Sequence, residues 1–223
     1  QRKFRQNQSV SKERQARKSM QNKIAGVLLA GGKSNRMGGG DKCLMELAGR
    51  TLLSRVIDRA KTQVGPMVLN VNGDPKRFAS YRLPIIKDVL SGFHGPLAGI
   101  LTGLDWAKKN APDVDYIATF ATDSPFFPSN LVDLLYKTIK EGNVLACAKS
   151  NGRHHPVFGL WPVEKRQALQ DAMTVENIRK IDIWTSRYKM GAVDFPTDHI
   201  DPFFNVNTPE DLAQARDFLN QLK

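Results

Sequence analysis

Residues 23–30 read KIAGVLLA, and the chain continues directly into GGKSNRMGGGDK at residues 31–42. The first stretch is apolar almost throughout and does not alternate with polar residues, which is typical of a strand buried on both faces of a parallel sheet. The second stretch combines glycines with cationic side chains. Because ligands of open α/β sheets bind at the carboxyl ends of the strands, this junction predicts both the fold class and the place of a binding site.

The rest of the chain repeats this alternation of short apolar runs and helical patterns. Further strands are predicted at PMVLNVN (66–72), LPIIKD (83–88), DYIATFATD (115–123), NVLACAK (143–149), HPVFGLW (155–161) and GAVDF (191–195). Helices are predicted over residues 51–64 with Thr51 as N-cap, 95–110, 128–142 with Ser129 as N-cap and Gly142 at C′, 162–173 with Pro162 at the first position, and 208–222 with Thr208 and Asp211 spaced as in a capping box. The predicted fold class is α/β, a three-layer α/β/α open and mostly parallel sheet of the Rossmann-like type.

Length and composition indicate one domain. The chain has 223 residues, of which 41% are hydrophobic, and this suffices for a buried core. It contains neither a run of about 18 apolar residues nor the pattern of a secretory signal. Its two cysteines, Cys43 and Cys147, have no disulfide or metal-binding spacing. We therefore expect a cytoplasmic protein with no membrane partner.

The net charge of +11 is concentrated at the N-terminus. Residues 1–23 contain eight lysines and arginines against one acid, Glu13, and so account for +7 of the total. Residues 1–22 are predicted to be a basic disordered leader, and residues 23–223 to be the folded domain. One alternative is a native start at Met20, with residues 1–19 as upstream sequence. Another is a nucleic-acid-binding arm, which is not favoured because Phe4 is the leader's only aromatic residue.

The glycine-rich loop does not fit two common phosphate-binding patterns. In the phosphate loop GxxxxGK[ST], the GKS at 32–34 would require glycine at the position of Val27. In the dinucleotide pattern GxGxxG, the glycines at 38–40 would require glycine at the position of Cys43. Backbone N–H groups and cations in such a loop still suit a polyphosphate ligand, and a purely structural loop is the alternative.

Asp123 is the leading catalytic candidate on residue chemistry. It follows the apolar run YIATFA (116–121) and comes shortly before Pro125, so its carboxylate is expected at the functional edge of the sheet. A carboxylate at that place suits Mg²⁺, which binds one or two carboxylates together with substrate phosphates and water. The alternative is a cap for the helix that begins near Ser129.

A longer segment around the loop, LLAGGKSNRMGGGDKCLMELAGRTLL (28–53), resembles the signature loop of nucleotidyltransferases with a glycosyltransferase-A-like fold. Within that group it is most similar to the molybdenum cofactor guanylyltransferase branch. The resemblance continues through GPLAGI (95–100), ATDSPF (121–126), HPVFGLW (155–161) and FFNVNTPEDL (203–212). It covers residues 24–219 and leaves the leader outside.

The resemblance implies transfer of GMP from GTP to the terminal phosphate of molybdenum-loaded molybdopterin, with Mg²⁺ as cofactor and pyrophosphate as the second product. It also implies transient contact with cofactor-insertion proteins or molybdoenzymes. The implied catalytic residues are Asp123, Lys42 and Arg36, with Asp123 as the metal ligand. The implied nucleotide-binding residues are Leu29, Ala30, Gly31, Gly32, Lys42, Asn70, Asp88 and Asp123. The implied acceptor-binding residues are His155, Asn205 and Asn207.

Several alternatives stay open. The nearest is a cytidylyltransferase that makes the cytosine form of the same cofactor, although GPLAGI (95–100) favours guanine. Sugar-phosphate nucleotidyltransferases usually carry a longer C-terminal region. A non-catalytic nucleotide- or nucleic-acid-binding protein is a rival of another class, against which the presence of Lys42 and Asp123 argues. Adjacent residues of an extended chain point to opposite sides, so His154 and His155 do not predict a metal site.

Overall fold

The computed structural model describes residues 12, 14–30, 41–92 and 95–221. Its strands are β1 (Ile24–Leu29), β2 (Glu46–Leu47), β3 (Arg50–Thr51), β4 (Met67–Asn70), β5 (Ile85–Ile86), β6 (Tyr116–Ala121), β7 (Leu145–Ser150), β8 (Arg153–Pro162) and β9 (Met190–Asp194). Its helices after β1 are α1 (Leu52–Ala60), α2 (Pro96–Asn110), α3 (Leu131–Lys140), α4 (Arg166–Thr174), α5 (Ile181–Thr185) and α6 (Pro209–Gln221). Residues 14–22, ahead of β1, are helical as well. None of the helices in these ranges has the length and apolar character needed to cross a lipid bilayer.

Within the described ranges, seven strands form one sheet in the order β5-β4-β1-β6-β8-β7-β9. The strands β5, β4, β1 and β6 run parallel to one another, as do β7 and β9, whereas β8 runs antiparallel to both of its neighbours. In this register Leu29 of β1 lies beside Asn70 of β4 and Ala121 of β6. The carboxyl ends of these three strands therefore meet at one edge of the sheet.

Two helical layers cover the sheet. On β1, Ile24 and Leu28 belong to one buried cluster, whereas Ala25 and Val27 belong to another. The first cluster includes residues of α1 and α3, and the second includes residues of α2, α4 and α5. β1 is thus buried on both faces, which explains its unbroken apolar sequence and confirms the predicted three-layer α/β/α fold.

A smaller apolar cluster joins the C-terminal part of the chain to the carboxyl edge of the sheet. It contains Leu47 of β2, Phe126, Val206 and Ala215 of α6. Phe126 also packs edge-on against Phe218, with ring centroids 5.0 Å apart. The cluster therefore holds the segment before α6 against the residues that follow β6.

Several predicted helix ends are confirmed. Thr51 Oγ1 accepts a hydrogen bond from the N–H of Ser54 at 3.1 Å, as an N-cap does. Thr208 Oγ1 accepts from the N–H of Asp211 at 3.1 Å, and Asp211 Oδ2 accepts from the N–H of Thr208 at 2.8 Å, which completes the capping box. Gly142 follows the C-cap of α3 with a φ of 90°, a conformation that glycine adopts without steric cost.

Two predicted helix starts are wrong. The N-cap residue of α3 is Asn130 and not Ser129. Pro162 is the last residue of β8, and α4 begins only at Arg166, after a short 3-10 turn. The fixed φ of proline suits both the end of a strand and the start of a helix, and here the pairing of Pro162 with Tyr116 of β6 decides between them.

The described part of the leader differs from the predicted disorder, because residues 14–22 form a helix that contacts the domain. The Arg17 guanidinium lies 2.9 Å from the Asp133 carboxylate of α3. Gln21 donates a hydrogen bond to the carbonyl of Thr62 at 2.7 Å, and Met20 packs against the first core cluster. These are tertiary contacts, which local sequence patterns do not reveal. Residues 1–11 and 13 lie outside the described residues, and the domain boundary at residue 23 stays a prediction.

Candidate active site

Asp123 lies two residues beyond the carboxyl end of β6, as predicted. Its backbone carbonyl accepts a hydrogen bond from the N–H of Val206 at 2.8 Å. The preceding Thr122 donates its hydroxyl proton to the carbonyl of Leu29 at 3.1 Å, which ties this turn to the end of β1. The Ser124 hydroxyl lies 3.5 Å from the carboxylate itself, which is a long contact. The N-cap residue of α3 is Asn130, so Asp123 does not cap that helix.

Burial dominates the electrostatics of this carboxylate. Burial raises the pKa of Asp123 above its ordinary value, although a backbone hydrogen bond, the charge of Lys42 and the Ser124 hydroxyl all act in the opposite direction. A partly desolvated carboxylate that its neighbours do not fully compensate favours the binding of a cation. Such a perturbed group at the carboxyl edge of a sheet is typical of a functional site.

Lys42 and Asn207 meet beside Asp123. Lys42 opens a short 3-10 turn after the glycine-rich loop, and its ammonium donates a hydrogen bond to Asn207 Oδ1 at 3.0 Å. Asn207 is held in turn by its own N–H, which donates to Asp211 Oδ2 at 2.8 Å. The capping box of α6 therefore positions the partner of the predicted catalytic lysine.

Asn205, predicted on the acceptor side, is linked to the residue next to Asp123. The buried Ser124 hydroxyl donates a hydrogen bond to Asn205 Oδ1, while Asn205 itself is exposed. Ser124 was not predicted as a site residue. Its position between Asp123 and Pro125 at a strand end was the available signal.

Asn70 and Asp88 form a second polar group at the same edge. Asn70 is only 2% exposed, and its amide donates to Asp88 Oδ1 at 2.9 Å. Asn72, which was not predicted as a site residue, donates to Asp88 Oδ2 at 2.7 Å. The two asparagines thereby fix the orientation of a half-buried carboxylate, so Asn70 supports Asp88 rather than facing outward itself.

The start of the glycine-rich loop is described only to Ala30. The N–H of Ala30 donates to the carbonyl of Asn70 at 3.0 Å, so this amide is engaged within the sheet, and the nucleotide contact of Ala30 stays a prediction. The cause is the register of β1 and β4, which extends the ladder one residue past Leu29. The predicted site residues Gly31, Gly32 and Arg36 lie outside the described residues.

His155, in β8, lies on the other side of β6 from Asn70 and Asp88. Its ring stacks on Phe203, with centroids 4.8 Å apart and an interplanar angle of 29°. Phe203 precedes Asn205 in the segment that reaches Asp123. Phe203 thus links His155 to the segment that carries Asn205 and Asn207.

Comparisons with known proteins agree with this architecture. The sequence profile of the MobA-like NTP transferase domain matches residues 26–187. The chain belongs to this family. It is 50% identical over 190 residues to a molybdenum cofactor guanylyltransferase of Rhodopseudomonas palustris, covering 85% of this chain and 90% of the relative. It is 51% identical over 193 residues to a protein of the same name from Bradyrhizobium, covering 86% and 91%.

The fold of the MobA-like domain is also found in a solved structure, the molybdopterin-guanine dinucleotide biosynthesis protein A of Archaeoglobus fulgidus. The TM-score is 0.70 at 24% identity, with 88% of this chain and 99% of the other covered. Among the residues described in this MobA-like domain, no group of three or more His, Cys, Asp or Glu side chains is placed to hold a metal ion. The oxygen donors near Lys42 are the Asp123 carboxylate and the amide oxygens of Asn205 and Asn207, and hard oxygen donors of this kind are those that Mg²⁺ prefers.

Proposed function

We propose that this MobA-like protein transfers GMP from GTP to the terminal phosphate of molybdenum-loaded molybdopterin, which gives the guanine dinucleotide form of the cofactor and pyrophosphate. The observation that carries the proposal is the convergence of Lys42 and Asn207 with the half-buried carboxylate of Asp123. The reaction and both substrates are supported by relatives about half identical to this chain that are named molybdenum cofactor guanylyltransferase.

The proposed reaction joins two polyanions and needs no protein nucleophile. An oxygen of the acceptor phosphate bonds to the α-phosphorus of GTP, while the bond from that phosphorus to the bridging oxygen of the β-phosphate breaks and its electron pair leaves with pyrophosphate. The protein has to align the two anions and compensate their charge. Lys42 supplies an ammonium group at this edge, and Asn207 holds it in place. Arg36 is proposed as a second cation because of its place in the signature loop.

The nucleoside part of GTP is proposed to bind on the β4 and β5 side of Asp123. There, Asn70 and Asn72 orient the Asp88 carboxylate. Leu29, Ala30, Gly31 and Gly32 are proposed to contact the base and phosphates, with Ala30 acting through atoms other than its N–H. The acceptor is proposed to bind on the β8 side, next to His155, Asn205 and Asn207.

Mg²⁺ is proposed as the cofactor, held by Asp123 with Asn207 as a direct or water-mediated oxygen donor. The donor chemistry fits, because Mg²⁺ typically takes one or two carboxylates and completes its shell with substrate phosphates and water. When bound, it would neutralise charge on the triphosphate. The raised pKa of Asp123 also fits, since a cation would compensate the cost of burying the carboxylate.

The cytoplasm, where GTP is supplied, is the proposed location of the reaction. Transient contact with cofactor-insertion proteins or molybdoenzymes, which would use the product, is also part of the proposal.

The test is a nucleotide competition. The protein is incubated separately with each of the four nucleoside triphosphates, molybdenum-loaded molybdopterin and Mg²⁺, while pyrophosphate release and the dinucleotide product are measured. We expect turnover with GTP alone, and its loss when a chelator removes the divalent cation. Turnover with CTP and none with GTP would make the chain a cytidylyltransferase, and nucleotide binding without any turnover would make it a non-catalytic binding protein.

A further inference from the structure

Two side chains of the β7–β8 hairpin and one from the segment before α6 form a continuous series of hydrogen bonds beside the proposed acceptor site. The Ser150 hydroxyl, at the end of β7, lies 2.7 Å from His155 Nε2 and 2.8 Å from Asp201 Oδ1. Asp201 Oδ1 also accepts from the N–H of Phe203 at 2.9 Å, and Phe203 stacks on the His155 ring. Ser150 is fully buried, so water does not compete for these bonds.

The number of protons in this series decides the tautomer of His155. A serine hydroxyl has one proton to donate, and an ionised carboxylate oxygen only accepts. The Ser150 proton is therefore donated to Asp201 Oδ1, and the Ser150 oxygen must accept the proton that its second neighbour carries. It follows that His155 carries a proton on Nε2. In the neutral ring the other nitrogen, Nδ1, is then an unprotonated acceptor.

The surroundings of the ring leave Nδ1 available to a ligand. Among the residues that the structure describes, none forms a hydrogen bond with Nδ1, while Nε2 is occupied by Ser150. Burial lowers the pKa of His155, as do Arg153 and His154, whereas the Asp201 charge opposes them. A neutral imidazole with a bare Nδ1 cannot donate a hydrogen bond to an ionised phosphate, but it accepts one from an N–H group.

We propose that Ser150 and Asp201 are positioning residues that hold His155 in its Nε2–H tautomer, so that Nδ1 recognises an N–H group on the ring system of the acceptor substrate. The inference rests on the proposed function for the identity of that acceptor, a pterin, whose ring edge carries N–H donors. In this proposal, His155 binds the pterin ring of the acceptor, and the cations near Asp123 bind its phosphate.

The tautomer is tested by ¹⁵N NMR on the full chain without substrates, and the His155 signals are assigned from their loss in His155→Asn. We expect a protonated Nε2 in the native protein and in Asp201→Asn, because an asparagine Oδ1 still accepts from Ser150. In Asp201→Ala the Ser150 proton is released towards Nε2, so the ring should change to the Nδ1–H tautomer. A native ring protonated on Nδ1, or an unchanged ring in Asp201→Ala, overturns the proposal.

Recognition of the acceptor is tested by titrating metal-free molybdopterin into the protein without GTP. The matched variants are His155→Asn, whose amide oxygen takes the position of Nδ1, and His155→Gln, whose amide takes the position of Nε2. We expect His155→Gln and Asp201→Ala to weaken binding about tenfold, the effect of one lost hydrogen bond, and His155→Asn and Asp201→Asn to bind within about threefold of the native chain.

Equal weakening in His155→Asn and His155→Gln, or unchanged binding in His155→Gln, overturns the role of Nδ1. Because the titration contains no nucleotide, a lack of guanylyl transfer would refute the proposed function separately and would leave this measurement valid. Thermal unfolding of each variant identifies any that fails to fold. If a His155 variant does not fold, the ¹⁵N NMR spectra of Asp201→Asn and Asp201→Ala still test the tautomer of His155.

Discussion

At the scale of single residues, Asp123 is the proposed metal ligand, and its partial burial disfavours the charged form of its carboxylate. We expect Asp123→Asn to lower the turnover number about 10²- to 10³-fold, because the amide keeps the shape but loses the charge that a metal ion needs. The matched control is Asp115→Asn, an exposed aspartate just before the other end of β6. Turnover by Asp123→Asn equal to that of the control would rule out the metal assignment.

We also expect Asp123→Asn to change how the stability of the protein depends on pH. Since burial raises the pKa of Asp123, ionisation is less favourable in the folded than in the unfolded chain, and the free energy of unfolding falls as the pH rises through the raised pKa. Asp123→Asn should therefore unfold at a higher temperature than the native chain near neutral pH in the absence of divalent cations, and this advantage should shrink on acidification. The measurement is thermal unfolding of both proteins near neutral pH and at acidic pH. A difference in unfolding temperature that grows in acid would contradict the argument.

Lys42 acts on Asp123 through its charge as well as on the proposed phosphates. Its ammonium lowers the pKa of Asp123, so Lys42→Met should raise that pKa and move the acidic limb of the activity profile to higher pH. We also expect kcat/KM for GTP to fall about 10²-fold. The exposed Lys108→Met serves as control, since it removes a charge at the far end of α2. A lower kcat/KM without a shift of the acidic limb would show that Lys42 contributes to activity without affecting the ionisation of Asp123.

At the scale of elements, helix α2 approaches the sheet so closely that it has no room for side chains at two glycines. A Cβ on Gly99 would lie 2.7 Å from Asn70 Oδ1, and one on Gly103 would lie 2.6 Å from a methyl of Val27. Alanine normally stabilises a helix, but here overpacking costs about 1–3 kcal/mol and should outweigh that gain. Both variants should unfold at lower temperature.

Only Gly99→Ala should also weaken GTP binding, because it displaces the asparagine that orients Asp88. Gly103→Ala, one turn further along the same face of α2, is the matched control, because it should disturb the packing of the helix without displacing Asn70. The measurements are thermal unfolding and KM for GTP. The same rise in KM in both variants would mean that α2 acts on the site only through global stability.

The features of these elements differ in whether they could be predicted from the sequence. The buried β1, the Thr51 cap, the capping box before α6 and the strand-end position of Asp123 were all predictable, because each depends on neighbours within a few residues. The bond from Lys42 to Asn207 was not, since it depends on how the cluster around Phe126 places the segment before α6. The engaged N–H of Ala30 likewise follows from strand register, which no local pattern specifies.

At the scale of the whole molecule, the helix at residues 14–22 leads into β1 at the amino end of that strand. Gln21 bonds to Thr62, shortly before β4, and a Cβ on Gly65 would lie 2.9 Å from the Gln21 carbonyl. These contacts lie at the amino ends of the parallel strands, at the edge of the sheet opposite Asp123. The leader should therefore contribute to stability and not to catalysis.

Removal of residues 1–19 tests this separation. It deletes Arg17, leaving the partly buried Asp133, whose pKa burial already raises, without its cationic partner. Because a surface ion pair contributes at most about 1 kcal/mol, the unfolding temperature should fall by about 2–4 °C, while kcat and KM for GTP stay unchanged. Arg17→Ala should reproduce part of the shift, and Arg14→Ala, an exposed neighbour, should produce none. A loss of turnover on truncation would instead connect the leader to the active site, and an unaltered unfolding temperature would mean that its helix adds nothing to the fold.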